Sequence, residues 1–175
     1  MLNCCFTPMG KRKFNQYFLN PTTNVSYLQR EYDITEYMLK KYDKFDNFLR
    51  ANLIHIKDIS KFERQIYLKK ISPKMICNLY QNILLIGNIY DFMMKDKTIR
   101  EYLQVFEKDI LSINNFCKEI TECINENIDI ELANELDNVQ GFETNFIKCG
   151  VDEELDTKTI LLSESESKLD SIKII

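Results

Sequence analysis

Apolar side chains recur with helical spacing from Tyr27 to Ile56. Placed at about 100° per residue, Tyr27, Leu28, Tyr32, Ile34, Met38, Leu39, Tyr42, Phe45, Leu49, Leu53 and Ile56 share one arc of about 160°. Arg30, Asp33, Glu36, Lys40, Lys41, Lys44 and Arg50 lie outside it, whereas Glu31 and Asp46 intrude. A stripe this wide needs more than one neighbour. The pattern therefore predicts one long helix against which the rest of the chain packs.

The next elements follow from capping signals. Pro21 to Asn24 reads as a turn before the first helix, and Lys57 to Ser60 as the turn after it. Ser60 and Glu63 have capping-box spacing and predict the start of a second helix. So short a link predicts an antiparallel hairpin. Ser72-Pro73 reads as an N-cap with proline at the first helical position, which predicts a kink or break.

Met75 to Tyr90 carries no charge, and Ile76, Leu79, Ile83, Ile86, Tyr90 and Met93 follow by threes and fours. The run is too short and too rich in Asn and Gln to span a bilayer, so it reads as buried core. Thr98 and Glu101 form a second capping box, after which Ile99, Leu103, Phe106, Ile110, Ile113, Cys117, Ile120 and Ile124 resume the seam. The join near residue 96 reads either as a hinge or as continuous helix. Asp129 is placed to cap a shorter helix with Ile130, Leu132, Leu136 and Val139 on its apolar side, weakened by Gly141 and ended by Gly150. Val151 to Ile175 is acidic and serine-rich, with one short amphipathic helix expected within a mobile tail.

The predicted fold is all-α: a long antiparallel helical hairpin, smaller helices packed along it, and an acidic C-terminal helix. Three regions are expected: an apolar and basic segment over 1–20, a hairpin core with its following helix over 26–125, and acidic helices and tail over 126–175. Four glycines and three prolines leave little punctuation for an all-β fold.

Charge divides the chain. Residues 1–74 sum to +7 and residues 75–175 to −11, giving the net −4. A basic half joined to an acidic half can meet an anionic surface with one end and fold back with the other. Near the start, Leu2, Cys4, Cys5 and Phe6 precede Lys11, Arg12 and Lys13, an order suited to shallow insertion into an anionic bilayer.

Candidate chemistry is sparse. The six cysteines form no C-x-x-C pair and His55 is the only histidine, so free thiols in a reducing, cytosolic setting are expected, without a zinc site. There is no Gly-rich phosphate loop, no H-E-x-x-H and no G-x-S-x-G. Neither an enzyme nor a bound cofactor is expected. Nucleic-acid binding is disfavoured, because the basic half is only moderately charged and carries no recognition motif.

Local motifs in order suggest a family. Leu28-Gln29-Arg30 through Glu36 to Lys40-Lys41 looks like the opening of a first helix, and Glu63 to Lys70, ERQIYLKK, like the basic opening of a second. Asn127 to Leu136, NIDIELANEL, is similar to a fourth-helix signature, and Val151 to Asp156, VDEELD, to the start of a fifth. Over roughly residues 26–162 the chain resembles the charged multivesicular body proteins, the subunits of ESCRT-III, most closely the main filament-forming class. Pro73 departs from that family's continuous second helix, and the tail lacks its ATPase-docking leucine-arginine motif.

The resemblance implies a subunit that polymerises on anionic membranes to remodel and sever membrane necks in multivesicular body sorting and vacuolar transport. It would be cytoplasmic and recruited peripherally to endosomal membranes. Its partners would be anionic lipids, itself and other ESCRT-III subunits, and the AAA ATPase that disassembles the polymer, with no nucleic acid. Membrane contact would fall to Leu2, Phe6, Lys11, Arg12, Lys13, Lys40, Lys41 and Lys44. Autoinhibition would fall to Asp152, Glu153, Glu154, Leu155, Leu161 and Leu162. The competing reading is a helical adaptor that binds partner helices through the same faces and never polymerises.

Overall fold

A computed structural model describes residues 2–106, 110–136 and 145–173. These residues are all-helical, with no strand among them and one isolated antiparallel bridge between Ile128 and Ile147. The helices are α1 (Pro8–Leu19), α2 (Val25–Lys40), α3 (Tyr42–Leu53), α4 (Ile59–Tyr67), α5 (Pro73–Met94), α6 (Lys97–Phe106), α7 (Ile110–Asn127), α8 (Ile130–Glu135) and α9 (Glu153–Lys173).

The helix boundaries are set by short polar side chains. Thr7 accepts from the Gly10 N–H at 3.0 Å and Pro8 opens α1. Asn24, in the expected turn, caps α2 by accepting from the Tyr27 N–H at 3.0 Å. Ser72 accepts from the Met75 N–H at 3.3 Å with Pro73 at the start of α5, and the chain breaks there as its sequence implies. Asp129 caps α8 by accepting from the Glu131 and Leu132 N–H groups, both at 3.1 Å.

Two expected caps lie elsewhere. Asp58, not Ser60, caps α4, accepting from the Ser60 N–H at 3.2 Å. Asp96, not Thr98, heads α6, its Oδ1 accepting from the Thr98 and Ile99 N–H groups at 3.2 and 3.4 Å. In both cases a carboxylate two residues upstream reaches the free amides and displaces the hydroxyl candidate. The join at residue 96 is thus a break between α5 and α6.

The predicted long helix over 27–56 is interrupted. Lys41 has φ −118° and ψ 32°, outside helical values, and divides it into α2 and α3. Ile34, Phe45 and Ile99 form a buried cluster with Tyr37, Met38, Leu49, Phe92, Met93, Tyr102 and Leu103 around it. The far edge of the arc stays in solvent: Tyr32 is 65% exposed and Leu39 62%. The neighbours of α2 and α3 cover only part of a 160°-wide stripe (an arc of about that width), so the stripe is not the centre of the fold.

That centre is α5. It packs against α3, α4, α6, α7 and α8, and its pairing with α7 is the most extensive in the molecule's described residues. The first half of α5 meets the end of α7 and the start of α8: the Asn125 Nδ2 donates to the Tyr80 hydroxyl at 3.1 Å, and the Cys77 thiol donates to the Ile130 carbonyl at 3.5 Å. A helix uncharged from Met75 to Tyr90 can be wrapped this way because that stretch tolerates desolvation, with an amide side chain supplied with partners where it is buried. Asn82 is that side chain. It is 1% exposed, and its amide accepts from the Lys57 N–H at 3.1 Å and donates to the Lys57 carbonyl at 3.2 Å. The α3–α4 link is therefore fastened to the middle of α5.

The C-terminal region differs from expectation in length. α9 runs for 21 residues, and its apolar residues Ile160, Leu161 and Leu162 are exposed. Consecutive apolar residues spread round a helix and form no packing stripe. Asp152 accepts from the Leu155 N–H at 2.9 Å, and Asp156 accepts from the Gly150 N–H at 2.7 Å, with Gly150 at φ +91°. Val139 and Gly141, which the pattern places on the helix after Asp129, lie outside the described residues, as do the side chains of Phe106 and Ile110.

The Asn82 clamp predicts a specific cost. Asn82→Ala strands two backbone groups of Lys57 and should destabilise the fold by about 1–3 kcal/mol. Urea unfolding followed by far-UV circular dichroism measures it; a change within a few tenths would show the clamp to be dispensable.

Candidate nucleic-acid interface

The cations divide into those held by the fold and those left facing solvent. Asp96 collects two of the first group, Lys41 and Lys44. It is 8% exposed and accepts from the Tyr37 hydroxyl at 2.8 and 2.9 Å. The Lys41 and Lys44 ammonium groups stand 3.5 and 3.7 Å from its Oδ2, and Lys41 also donates to the Tyr37 hydroxyl. Burial alone would raise the Asp96 carboxyl; the Tyr37 hydroxyl, the Ile99 N–H and Lys41 outweigh it, and the group sits below the usual carboxylate range. Lys44 further lies over the Phe45 and Phe92 rings at 5.4 and 5.8 Å.

Other members of the expected membrane set are also dispersed. Leu2 is exposed, and Phe6 lies under the Arg50 guanidinium at 4.9 Å. Arg12 grips Asp58 through two bonds of 2.6 and 2.9 Å, which raises the guanidinium and lowers the carboxyl. Lys13 lies over the Tyr17 ring at 4.7 Å, and Lys40 pairs with Glu36 at 2.7 Å. Lys11 is exposed. The structure brings Lys41 and Lys44 together, but on a carboxylate, and does not gather the eight residues on one face. Of the expected autoinhibitory set, Asp152 caps α9, Glu154 pairs with Lys158 one turn on, and Glu153, Leu161 and Leu162 are exposed. Leu155 is half-buried. Among the described residues α9 makes no extensive packing against α1–α8, and these residues are not seen along the basic half.

The second group of cations forms a corner. On α4, Phe62 is buried, and Ile59 and Ile66 lie on the same side by helical phase. Lys61 and Arg64, three residues apart, occupy the opposite side and are exposed. The helix ends with Lys69 at φ 52°, the left-handed position that usually belongs to glycine. The Lys69 N–H donates to the Ile66 carbonyl and the Lys70 N–H to the Gln65 carbonyl, both at 2.9 Å, which is the double-bonded Schellman ending. A side chain in that conformation costs roughly 1–2 kcal/mol relative to glycine. The strained backbone presents Lys69 and Lys70 at the tip, beside Tyr67, which is 81% exposed. Lys61, Arg64, Lys69 and Lys70 carry no ion pair among the described residues. The Arg12–Asp58 bridge sets the basic triplet of α1 beside the start of α4, so Lys11 and Lys13 extend the same positive field.

Cations around an exposed aromatic ring suit a polyanion whose phosphates attract the charges while a sugar or base covers the ring. In sequence ERQIYLKK reads only as a basic helix opening. The available signal was its composition: from Lys61 to Lys70 four residues are basic and one is acidic, with Tyr67 among them. Asp96 was hidden because its flanking lysines make Lys95-Asp96-Lys97 look like a solvated surface run.

Comparison with known proteins gives one consistent result. A family model described as MutS domain III matches residues 1–172. The chain is 29% identical over 180 residues to the DNA mismatch repair protein MutS of Borrelia garinii subsp. bavariensis, and 26% identical over 176 residues to that of Borreliella burgdorferi. Each alignment takes in 99% of this chain and 20% of the relative, so the chain spans about a fifth of the length of these proteins. No solved structure matches.

These matches overturn the ESCRT-III resemblance and what it implied. Membrane remodelling, the filament and lipid partners, the disassembling ATPase, the adaptor alternative, endosomal recruitment and the exclusion of nucleic acid all give way to relatives named for DNA repair. The physical reason is that the resemblance rested on helix order and charge layout, which unrelated all-helical chains share.

Asp96 supplies the test of this electrostatic arrangement. Its folded pKa is depressed, so its contribution is complete above the ordinary carboxylate range and is lost as pH falls through the folded value. Asp96→Asn should cost about 1–3 kcal/mol at neutral pH, and the gap from the parent should narrow between about pH 5 and about pH 2. Urea titrations across that range check it; a gap independent of pH would show that the charge is not what stabilises the junction.

Proposed function

Since the chain belongs to the MutS domain III family, we propose that it is a helical domain serving DNA mismatch repair and that its α4–α5 corner meets the DNA backbone. The observation that carries the reading is the group Lys61, Arg64, Lys69 and Lys70, without ion pairs among the described residues, round the exposed Tyr67. The relatives named as mismatch repair proteins support DNA as the polyanion. Phosphate contacts of this kind position a domain on the duplex and carry no sequence preference.

The left-handed Lys69 supports the same assignment. Glycine would be more stable there, so a lysine held in that conformation points to a role for its charge. In this reading the α5–α7 antiparallel pair is the long helical arm, with the smaller helices seated along it, and the corner is at the end where α5 begins. The role proposed for the chain is binding and positioning. Its single histidine, His55, is exposed in the α3–α4 link, and no group of three or more metal-ligating side chains converges among the described residues.

Fluorescence anisotropy with a labelled duplex tests the proposal. Four phosphate contacts predict that log K falls with log salt at a slope of about −3 to −4, and removing one cation reduces that slope by about 1. Lys70→Ala should show this reduction. Lys69→Gly should do the same while raising stability by about 1 kcal/mol. Binding that is insensitive to salt, or unchanged in both variants, would refute the assignment.

A further inference from the structure

We propose that the cleft between the end of α1 and the first two turns of α2 binds a guanidinium group, presented as an arginine side chain of another polypeptide. The cleft has a volume of about 680 Å³, and its walls include Tyr17, Tyr27, Tyr32, Asn20, Asn24 and Glu31. Nothing in the DNA-contact reading uses it, and its central charge has the opposite sign to the α4–α5 corner.

Glu31 is the focus. It is half-buried, and its Oε1 accepts from the Tyr102 hydroxyl at 2.5 Å. That bond crosses from α6 to α2 and fixes the carboxylate; burial first, and then this bond, drive the Tyr102 phenol far above its ordinary range. No cation pairs with Glu31 among the described residues. A partly desolvated carboxylate without a counter-charge favours a ligand that brings one.

The walls are suited to a flat cation. Tyr17 and Tyr32 are exposed rings, and the Tyr27 and Tyr17 hydroxyls bond each other. Tyr17 already holds the Lys13 ammonium over its ring at 4.7 Å, so the surface is one on which cations settle. The last turn of α1 carries no basic residue, leaving its negative dipole end uncompensated at the cleft. The N-terminus of α2, which would repel a cation, is closed by Asn24 on the Tyr27 N–H. A guanidinium stacks on tyrosine and forks onto a carboxylate, and it sheds water more readily than an ammonium. Those properties select arginine over lysine.

The test uses the full chain with carbon-13-labelled tyrosine, titrated by NMR with N-acetyl-arginine methylamide. The Tyr17, Tyr27 and Tyr32 resonances should shift saturably. The neutral citrulline amide and the lysine amide should each bind about tenfold more weakly, and Glu31→Gln should weaken the arginine amide about tenfold. Tyr32→Leu, at an exposed ring that leaves the core intact, should weaken it about threefold. Lys70→Ala should leave it unchanged, which separates this site from the DNA corner. Equal binding of arginine and citrulline amides, or undiminished binding by Glu31→Gln and Tyr32→Leu, overturns the proposal; equal binding of the lysine amide overturns its assignment to guanidinium.

Discussion

A carboxylate inside a helical junction must be given partners, and Asp96 takes them from two sides. Its oxygens head α6 through the Thr98 and Ile99 amides and bind the Tyr37 hydroxyl of α2. Lys41 and Lys44 then neutralise it from the point where α2 gives way to α3. The break in the first long amphipathic stretch, the start of α6 and the burial of Ile34, Phe45 and Ile99 all meet at this group. A buried charge is stable only with this degree of satisfaction, and it fixes which helices can meet. Asn82 does the same in neutral form halfway along α5, where it binds both backbone groups of Lys57.

This arrangement decides what the positive charge can do. Lys41 and Lys44 are committed to Asp96, Arg12 to Asp58, Lys40 to Glu36 and Arg50 to Asp46. A net charge of +7 over the first 74 residues therefore does not become one attractive face. The densest group left outward is on the far side of α4 and the turn after it, with Lys11 and Lys13 beside it. The strained Lys69 and exposed Tyr67 sit there because the Schellman ending leaves the tip no other place to put them. Local neutralisation and local exposure, more than total charge, define the surface proposed to face a polyanion.

Much of the fold was legible from residues. The Ser72-Pro73 start, the Asp129 cap and the apolar run of α5 each announce themselves by a short-range rule. The division at Lys41 does not; the carboxylate that Lys41 meets there, Asp96, is 55 residues away in sequence. The length of α9 was hidden by its low amphipathicity, which reads as a solvated tail. At the site, charge and aromatic content were visible in ERQIYLKK, but the left-handed Lys69 and the absence of ion pairs are tertiary facts. Helix order and charge layout alone pointed to a membrane-remodelling family, and the match of residues 1–172 to MutS domain III replaces it.

The central claim is that DNA lies against the corner formed by α4 and the start of α5. Photo-cross-linking to a duplex carrying 5-iodouracil, followed by peptide mapping, addresses it most directly, because the reaction favours an adjacent tyrosine. The account predicts adducts concentrated between Lys61 and Lys74, with Tyr67 foremost. Adducts concentrated on α9, or scattered evenly over the nine tyrosines and the rest of the chain, would contradict it.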